Sequence, residues 1–560
     1  MNKRWLIKTP NPKVQKLLSE ALGVHPIIAQ LLINRDITDI EEARRFLLAD
    51  HSGFHDPFLL KDMDKAVARI RQAQANGESV LIFGDYDVDG VTSSALLRRI
   101  LKRIGIKAVN YIPHRMDEGY GLNHAIAEFA KEQGIHLLIT VDCGINAFSE
   151  VDAINAAGID VIILDHHEPE GDRIPSAVAV IDPKRPDCPY PFKSLAAVGL
   201  VAKLAHALLG EVPENELDLV AIGTVADVVP MRGENRIFVK KGLPVIERTG
   251  KCGLMALLDV AKIRGKRIKP FYIGFILGPR LNAAGRMDSA TIALDLLLSE
   301  NYEDALALAQ NLEFHNVSRQ RMQGEVVQEA FEMIEAGASK GDQIIVVHKE
   351  GWHKGVLGIV ASKIVEKYYR PTIVISVEDG LGTGSARSIE GFHLVDALAN
   401  CSSSLETFGG HKRAAGLKLR HENIDGFRQA INDFAKEVMA ASDLTPAMDI
   451  DCEVPFSALN LDFVDLVDSL EPHGEGNPSP VLCTRNLTVK SHASVMGKGT
   501  IKFWVTDGKN SFSAVGFGMS EFQPPIKPGA NVDLAYSLII DDWNKAPVVQ
   551  LKLKDIRLSE

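Results

Sequence analysis

The sequence lacks the patterns that mark several large classes of protein. Its six cysteines stand far apart without a Cys-x-x-Cys pair, which excludes a disulfide scaffold and argues against a zinc site. No apolar run approaches the ~20 residues that a membrane-spanning helix needs, and no apolar signal-peptide segment follows the basic N-terminus. No Gly-x-Gly-x-x-Gly follows a predicted strand, which disfavours a nicotinamide-binding enzyme. We therefore expect reduced thiols, no membrane contact and a cytoplasmic location.

The chain is long enough for several domains, since it has 560 residues, of which 46% are hydrophobic. Between residues 80 and 167, short apolar runs alternate with helix-like segments, as in βαβ units around a buried parallel sheet. The C-terminal β-like runs suit a small barrel. We predict an α/β protein with a helical segment (1–70), a parallel-sheet domain (71–290), a long connecting helix (291–336), a smaller α/β domain (337–455) and a C-terminal β-barrel of the OB-fold type (456–560).

The charge is unevenly distributed along the chain. The formal net charge is −11, which by itself disfavours a polyanionic partner. Between Arg236 and Asp288, however, twelve Lys/Arg residues face only three Asp/Glu residues. Because salt confines electrostatic fields to ~8–10 Å, such a local excess can bind a polyanion whatever the total charge. The alternative is a solvated basic face on an acidic protein.

Acidic residues recur where the predicted strands end. Three apolar runs are followed in turn by Asp85, Asp87 and Asp89, by Asp142, and by Asp165, His166 and His167. The carboxyl ends of parallel strands line one crevice, so we expect these side chains to converge. Asp227, a charge among apolar neighbours, also needs a partner. One isolated D-x-D or His pair is more often structural, but this combination predicts a common site.

Carboxylates that converge on one point repel each other and require a cation between them. Oxygen ligands favour hard divalent ions, and added imidazoles favour Mn²⁺, with Mg²⁺ also suited. The number of acids predicts two ions, a pair that at ~3.5–4 Å separation suits hydrolysis at phosphorus.

Several motifs resemble those of a known family. GDYDVDG, VDCG, LDHHE and TVADVVP are similar to the four motifs of the DHH phosphoesterase superfamily, named after the triplet at 165–167. YIPHRMDEGYGLN, GPRLNAAGRM, GWHKGVLGIVASK, GSARSIEGFHL and FGGHKRAAG resemble the RecJ family of single-strand-specific 5′→3′ exonucleases. The resemblance runs from about residue 50 to the C-terminus. It implies that the two α/β domains are DHH and DHHA1 domains and that the C-terminal domain is an OB-fold.

The resemblance also implies roles for individual residues. It implies Mn²⁺ or Mg²⁺ ligands at Asp87, Asp89, Asp142, His166 and Asp227, to which the D-x-D-x-D pattern adds Asp85. His167 is expected to contact the scissile phosphate rather than a metal ion. With the phosphate-binding candidates of the basic stretch, the predicted catalytic set is Asp89, His166, His167, Arg280 and Asn282.

Phosphate groups of the substrate are expected to meet basic and glycine-rich segments. Arg280, Asn282 and Arg286 come from the basic stretch, and arginine makes bidentate contacts with phosphate. The turn GLGTGSARS offers backbone N–H groups, although such turns are more often hairpins. The resemblance implies that Ser385, Arg387 and Arg115 bind a 5′-terminal phosphate. His353 and His411 are expected along the DNA path or in structural roles.

The function implied is degradation of single-stranded DNA from the 5′ end to 5′-mononucleotides, in recombination and in DNA repair that includes mismatch repair. Single-strand-binding protein and repair helicases are the partners implied, and we expect a monomer. Tyr120, Phe271, Tyr272 and Phe275 are candidates for base stacking, although such aromatics are usually core residues. The alternatives are a pyrophosphatase or a phosphodiesterase for cyclic dinucleotides or short RNA, and a non-catalytic scaffold that binds single strands.

Overall fold

The computed structural model describes residues 3–114, 118, 121–287, 289–339, 341–520, 526–541 and 547–559. The chain forms two compact units. The smaller unit holds residues 1–4, 283–289 and 310–448, and the larger unit holds residues 5–282, 290–309 and 449–560.

The N-terminal segment is mainly helical, in line with its sequence pattern. After strand β1 (Arg4–Ile7) come the helices α1 (Pro12–Leu22), α2 (Pro26–Ile33), α3 (Ile40–Leu48) and α4 (Met63–Asn76). Helix α1 begins with proline behind Asn11, whose side chain accepts the Val14 backbone N–H, a favourable helix start. Among the described helices, none is by itself long and apolar enough to cross a membrane. Helices α1 and α2 together meet the length and composition expected of a membrane-spanning segment, and only in those two respects. Their axes are bent by 119° relative to each other.

A buried parallel sheet forms the centre of the next segment. Its strands are β2 (Val80–Gly84), β3 (Ala108–Tyr111), β4 (Leu137–Val141), β5 (Asp160–Leu164) and β6 (Ala179–Ile181), in the order β3-β2-β4-β5-β6. The helices between them are α5 (Val88–Arg103), α6 (Ala125–Glu132) and α7 (Phe148–Ala156). The order reverses between β2 and β4, and ligands of open α/β sheets bind at the carboxyl ends of the strands beside such a reversal.

Helices follow this sheet along the chain. They are α8 (Ala197–Leu209), α9 (Leu217–Ala226), α10 (Gly233–Glu247), α11 (Cys252–Val260), α12 (Pro270–Tyr272), α13 (Gly278–Met287), α14 (Thr291–Leu298) and α15 (Tyr302–Met333). A π-helical segment, Ile273–Leu277, lies between α12 and α13, and a second one, Ile334–Ala338, follows α15. The 32-residue α15 lies in the segment where the sequence predicts a connecting helix.

The smaller unit contains a mixed sheet. Its elements are β7 (Ile345–Glu350), α16 (Leu357–Tyr368), β8 (Thr372–Glu378), β9 (Leu381–Arg387), α17 (Leu394–Asn400), β10 (Thr407–His411), β11 (Ala414–Arg420) and α18 (Ile424–Val438). The order is β10-β11-β9-β8-β7. Strands β7 and β8 are parallel because α16 connects them, and the other pairs are antiparallel.

The C-terminal segment is rich in strands. It holds β12 (Ala447–Ile450), β13 (Cys452–Glu453), α19 (Leu461–Asp468), β14 (Leu482–Val489), β15 (Ser494–Met496), β16 (Thr500–Thr506), β17 (Ser511–Gly516), β18 (Asn531–Asp541) and β19 (Val548–Leu558). Pairings run from β14 through β16, β17, β19 and β18 and return to β14. Alternate side chains, among them Phe503, Val505 and Leu551, fill the space inside this ring.

One buried arginine corrects the interpretation of the basic stretch. Arg236, on α10, is 1% exposed and donates to the backbone carbonyls of Phe46, Leu470, Glu471 and Pro472. It therefore holds the segment before β14 against the helices of the larger unit. Because its donors are used within the fold, Arg236 adds nothing to a polyanion-binding surface.

Candidate metal centre

Aspartates follow directly after neighbouring strands of the parallel sheet. Asp85 follows β2, Asp142 follows β4, Asp165 follows β5 and Asp182 follows β6. The backbone N–H groups of Asp85, Asp142 and Asp165 each donate to the last carbonyl of the next strand, at 3.3, 2.9 and 3.1 Å. The sheet ladder thus sets these residues side by side along the carboxyl edge.

Helix termini bring the other acids to the same edge. The Asp87 side chain caps α5 by accepting the N–H groups of Asp89 and Gly90, so Asp89 lies in the first turn of that helix. Asp227 is the residue at the C-terminal end of α9. The sequence singled out Asp227 for its apolar neighbours, of which Val225 and Ala226 end α9 and Val228 and Val229 follow the helix.

His166 lies at the centre of this acidic group. Its Nε2 is 3.2 Å from Oδ1 of Asp142, 3.6 Å from Oδ2 of Asp227 and 4.0 Å from Oδ2 of Asp89. Three overlapping groups of side chains could each hold a metal ion, because within each group the potential ligand atoms, one per residue, lie within 4.8 Å of one another. The groups are Asp85 with Asp87 and Asp142, Asp89 with His166 and Asp227, and Asp142 with His166 and His167. All six predicted metal-binding residues therefore meet in one cluster.

Burial and mutual repulsion make this cluster unfavourable without a cation. Burial, and then the charge of Asp87, raises the pKa of Asp89 to about 7. Burial, and then the charges of Asp89 and Asp87, raises the pKa of Asp227 to about 9. Burial and four acidic neighbours raise the pKa of Asp142 well above its usual range. A divalent ion among these oxygens would reverse this penalty, because opposite charge favours the ionised carboxylates.

The state of His166 fits a metal ligand. Burial, and then the charge of His167, lowers the pKa of His166 to about 4, so its imidazole is neutral at pH 7. Its buried Nε2 faces Oδ1 of Asp142 and has no hydrogen-bond partner among the described residues. A neutral imidazole nitrogen placed among carboxylates can bind a metal ion.

Helix α8 holds Asp89 in place. The N–H groups of Ala197 and Val198, in its first turn, donate to the two carboxylate oxygens of Asp89 at 2.7 and 2.9 Å. The positive end of the helix dipole thus faces a carboxylate that its acidic neighbours repel. A Cβ added at Gly223 would lie 2.9 Å from Oδ1 of Asp89, so glycine lets α9 approach this carboxylate.

Sequence reasoning missed the role of Asp165. Oδ1 of Asp165 lies 2.7 Å from Nδ1 of His167, and the carboxylate also accepts the N–H groups of Ile145, His166 and His167. Although burial lowers the pKa of His167, its bond with Asp165 raises it to about 9, so the ring is cationic at pH 7. The sequence contained a signal for this pair, because Asp165 and His167 are two residues apart just after a strand. Side chains at that spacing can form a hydrogen bond with each other.

Sequence reasoning also missed Asp182. It is fully buried, burial raises its pKa to about 7, and its Oδ2 has no hydrogen-bond partner in the described part of the chain. Asp182 directly follows the apolar run AVAVI (177–181), of which Ala179–Ile181 form β6. An apolar run that ends in an acid is the signal that could have found Asp182.

Predicted phosphate-binding residues share one face of the sheet in the smaller unit. Across the neighbouring strands β9, β11 and β10, Ser385 lies beside Gly416, which lies beside Gly409. Two residues further along each strand, Arg387 lies beside Ala414, which lies beside His411. Alternate residues point to the same face of a sheet, so Ser385, Arg387 and His411 border a floor of small residues. A Cβ added at Gly358 would lie 2.8 Å from Nη2 of Arg387 and 3.1 Å from Oγ of Ser385.

The remaining predicted residues have the following positions. Nδ1 of His353 accepts the Gly355 N–H at the start of α16, and Nη1 of Arg286 lies 3.3 Å from the Gly355 carbonyl oxygen. Arg280 and Asn282 are half-buried on α13, and Nη1 of Arg280 donates to the carbonyl of Ile276. Arg115 and Tyr120 lie outside the described residues.

Comparison with known proteins covers most of the chain. It matches the DHH family, N-terminal domain, over residues 79–224, the DHHA1 domain over 341–437 and the RecJ OB domain over 450–555. The single-stranded-DNA-specific exonuclease RecJ of Bacillus subtilis (strain 168) is 39% identical over 560 residues, which is 100% of this chain and 71% of that protein. The protein of the same name from Dickeya dadantii (strain 3937) is 35% identical, over 95% of this chain and 96% of its own length.

The chain belongs to the RecJ family. The crystal structure of RecJ from Thermus thermophilus in complex with Mn²⁺ aligns with a TM-score of 0.84 at 29% identity, over 100% of this chain and 80% of that one. The Mg²⁺ complex of the same protein aligns with a TM-score of 0.79. The predicted fold class and the predicted choice of Mn²⁺ or Mg²⁺ are confirmed for this RecJ-family chain, whose acidic and imidazole groups could hold such ions.

Neutralising one acid separates the effect of repulsion from that of metal binding. We expect Asp142→Asn to raise the melting temperature of the metal-free protein, because it removes a charge from the crowded cluster. Relief of about 1 kcal/mol corresponds to roughly 2–4 °C in a domain of about 200 residues. Added Mn²⁺ should stabilise the wild type much more than the variant.

Calorimetric melting curves with EDTA and with MnCl₂ measure both effects. The matched control is Asp152→Asn, which changes an exposed aspartate on α7. An equal Mn²⁺ shift in wild type and Asp142→Asn would contradict the metal centre.

Proposed function

We propose that this protein degrades single-stranded DNA from the 5′ end and releases 5′-mononucleotides in a reaction that needs Mn²⁺ or Mg²⁺. The observation that supports this most directly is the cluster of five carboxylates and a neutral imidazole, which with His167 form three overlapping groups of potential metal ligands. The RecJ relatives are named single-stranded-DNA-specific exonucleases, which supports the choice of substrate.

The proposed metal-binding residues are Asp85, Asp87, Asp89, Asp142, His166 and Asp227, which together suit two ions. When bound, the ions supply Lewis acidity that activates water and neutralises charge on the phosphate. The protein contributes a rigid donor set: the sheet ladder fixes Asp85 and Asp142, and α8 fixes Asp89. Such preorganisation avoids reorganisation during the reaction.

His167 is the proposed proton donor to the reacting phosphate. Asp165 engages its Nδ1 and keeps the ring cationic, so Nε2–H is the group that would stabilise negative charge developing on a phosphate oxygen. Asp165 is then a positioning residue, in a relation like that of aspartate to histidine in a hydrolytic triad.

Other predicted residues are proposed to bind phosphates of the strand. Ser385, Arg387 and His411 border a flat floor that suits a terminal phosphate, with His353 and Arg286 near the start of α16. Arg280 and Asn282 are proposed to bind phosphates nearer the reacting bond, and Arg115 remains predicted to bind the 5′-terminal phosphate. A pocket that requires a terminal phosphate would explain the 5′→3′ direction.

The proposal extends to the cellular role. We propose that the protein acts in recombination and repair, including mismatch repair. We further propose that it acts in the cytoplasm, as a monomer that works with single-strand-binding protein and helicases.

The predicted domain boundaries, which fall after residues 70, 290, 336 and 455, remain part of the proposal.

The direct test is digestion of one single-stranded oligonucleotide with Mn²⁺, labelled at the 5′ end in one sample and at the 3′ end in another. We expect the 5′ label to appear at once as mononucleotide while the 3′-labelled strand shortens gradually. The Asp142→Asn protein, which is nearly isosteric, should release neither label. Hydrolysis of pyrophosphate or a cyclic dinucleotide instead would keep the metal centre and overturn the substrate.

The pairing of Asp165 with His167 has its own test. We expect Asp165→Asn to lower kcat by about 10²–10⁴-fold, because a positioned proton donor contributes about that much. KM and the Mn²⁺ concentration needed for half-maximal activity should change little, since Asp165 belongs to none of the three potential ligand sets.

The control for that test is Asp172→Asn, at an exposed loop position. A kcat for Asp165→Asn within twofold of the wild-type value would refute the role of Asp165.

A further inference from the structure

Two phenylalanines of the larger unit are exposed in a way that the fold does not explain. Phe271 and Phe275 are 59% and 72% exposed. Their rings stack on each other, with centroids 5.1 Å apart and planes 26° apart, and the edge of Tyr272 meets Phe271. Sequence reasoning favoured a core position for these aromatics, and the structure places both phenylalanines at the surface. Water in contact with this much adjoining aromatic surface is unfavourable, so the pair suits a ligand with apolar faces.

The chain around Phe275 packs against α9, the helix that ends at Asp227 of the candidate metal centre. Phe275 belongs to the π-helical segment Ile273–Leu277, which packs against α9. A Cβ added at Gly278, just after this segment, would lie 3.8 Å from Cβ of Ala226. Ala226 directly precedes Asp227, one of the acids around His166. π-Helical turns occur frequently at functional sites, where they change the direction of side chains within a helix.

Val228 adds a second unexplained apolar surface at the same end of α9. It follows Asp227 with φ = 61° and is 64% exposed. This position after a helix end usually holds glycine, because a left-handed conformation strains a side chain branched at Cβ. The strain and the exposure together favour a role for this side chain outside the fold, next to the metal-binding acid.

Charge around the pair indicates the kind of ligand. From residue 260 to residue 287 the chain has seven Lys/Arg residues and no Asp or Glu. Lys262, Arg264, Lys266 and Arg267 are exposed. Arg264 pairs with Asp259, and Arg267 and Lys269 approach Glu471, so part of this charge is compensated within the fold. Stacked aromatics in basic surroundings match a single nucleic-acid strand, which offers flat base faces and a charged backbone.

We propose that Phe271 and Phe275 form a stacking platform for unpaired bases of the strand that enters the metal centre, and that Val228 extends this platform toward Asp227. The inference rests on the proposed function and adds the residues that recognise single-strandedness. A base within a duplex has both faces covered by its neighbours, whereas an unpaired base can leave the stack and settle on the phenylalanines. The platform thus favours single strands through contact with bases rather than with phosphates.

The test compares a normal strand with one of equal length that carries abasic sites among its first six nucleotides. Binding is measured by fluorescence anisotropy in the Asp142→Asn background, which prevents degradation. The parent protein should bind the normal strand about 5–150-fold more tightly, the range that corresponds to ~1–3 kcal/mol per stacked base. Phe271→Ala/Phe275→Ala should reduce this ratio to near one, and Val228→Ala should reduce it in part.

Matched variants make the result specific. Phe58→Ala removes a phenylalanine of similar exposure, 52%, from the N-terminal segment and should leave the ratio unchanged. Phe271→Tyr/Phe275→Trp should preserve the ratio, and the new tryptophan should be quenched by the normal strand but not by the abasic one. The platform would be overturned if the double alanine variant kept the parent's ratio of affinities for the normal and the abasic strand. That includes the case in which the variant loses affinity for both strands equally.

The outcome also distinguishes this inference from the proposed function. If the wild-type protein neither binds nor degrades a single strand, the proposed function fails and the platform fails with it. If the wild type degrades single strands and the double alanine variant keeps the parent's preference for bases, only the platform fails. The exposed pair would then serve another contact, such as one with a protein.

Discussion

Repulsion between carboxylates at one edge of a buried sheet is the constraint on which the rest of the site depends. Parallel strands that are apolar throughout place the aspartates that follow them side by side, as at Asp85 and Asp142. The helix ends at Asp89 and Asp227 bring further negative charge to the same place. Burial and proximity raise the pKa values of Asp89, Asp142 and Asp227, so the protein alone leaves these acids in an unfavourable state. A divalent cation is the simplest partner that makes the arrangement stable and chemically useful.

The surrounding structure keeps these groups in place despite their repulsion. Backbone N–H groups at the start of α8 hold Asp89, and the buried Nε2 of His166 has no hydrogen-bond partner among the described residues. Asp165 is used differently, because it pairs with His167 and keeps that ring cationic beside the acids. The proposed function thus gives neighbouring positions in one short motif distinct roles: a positioning acid, a neutral ligand and a charged proton donor.

Much of this arrangement could be predicted from the sequence because its signals are local. Apolar runs ending in acids at 85, 142 and 165 predict both the sheet and the convergence of charge. What depends on long-range packing could not be predicted. Arg236 looks like part of a basic surface, yet it is buried against backbone carbonyls distant in the sequence. The exposure of Phe275 depends on how a π-helical segment packs on α9.

The central claim is that the acids around His166 hold divalent ions, and anomalous diffraction from crystals containing Mn²⁺ tests it most directly. Data collected on both sides of the manganese absorption edge locate each ion independently of any assumed chemistry. The account predicts two anomalous peaks about 3.5–4 Å apart, within bonding distance of His166 and the surrounding aspartates. Peaks elsewhere on the protein, with none beside Nε2 of His166, would contradict it.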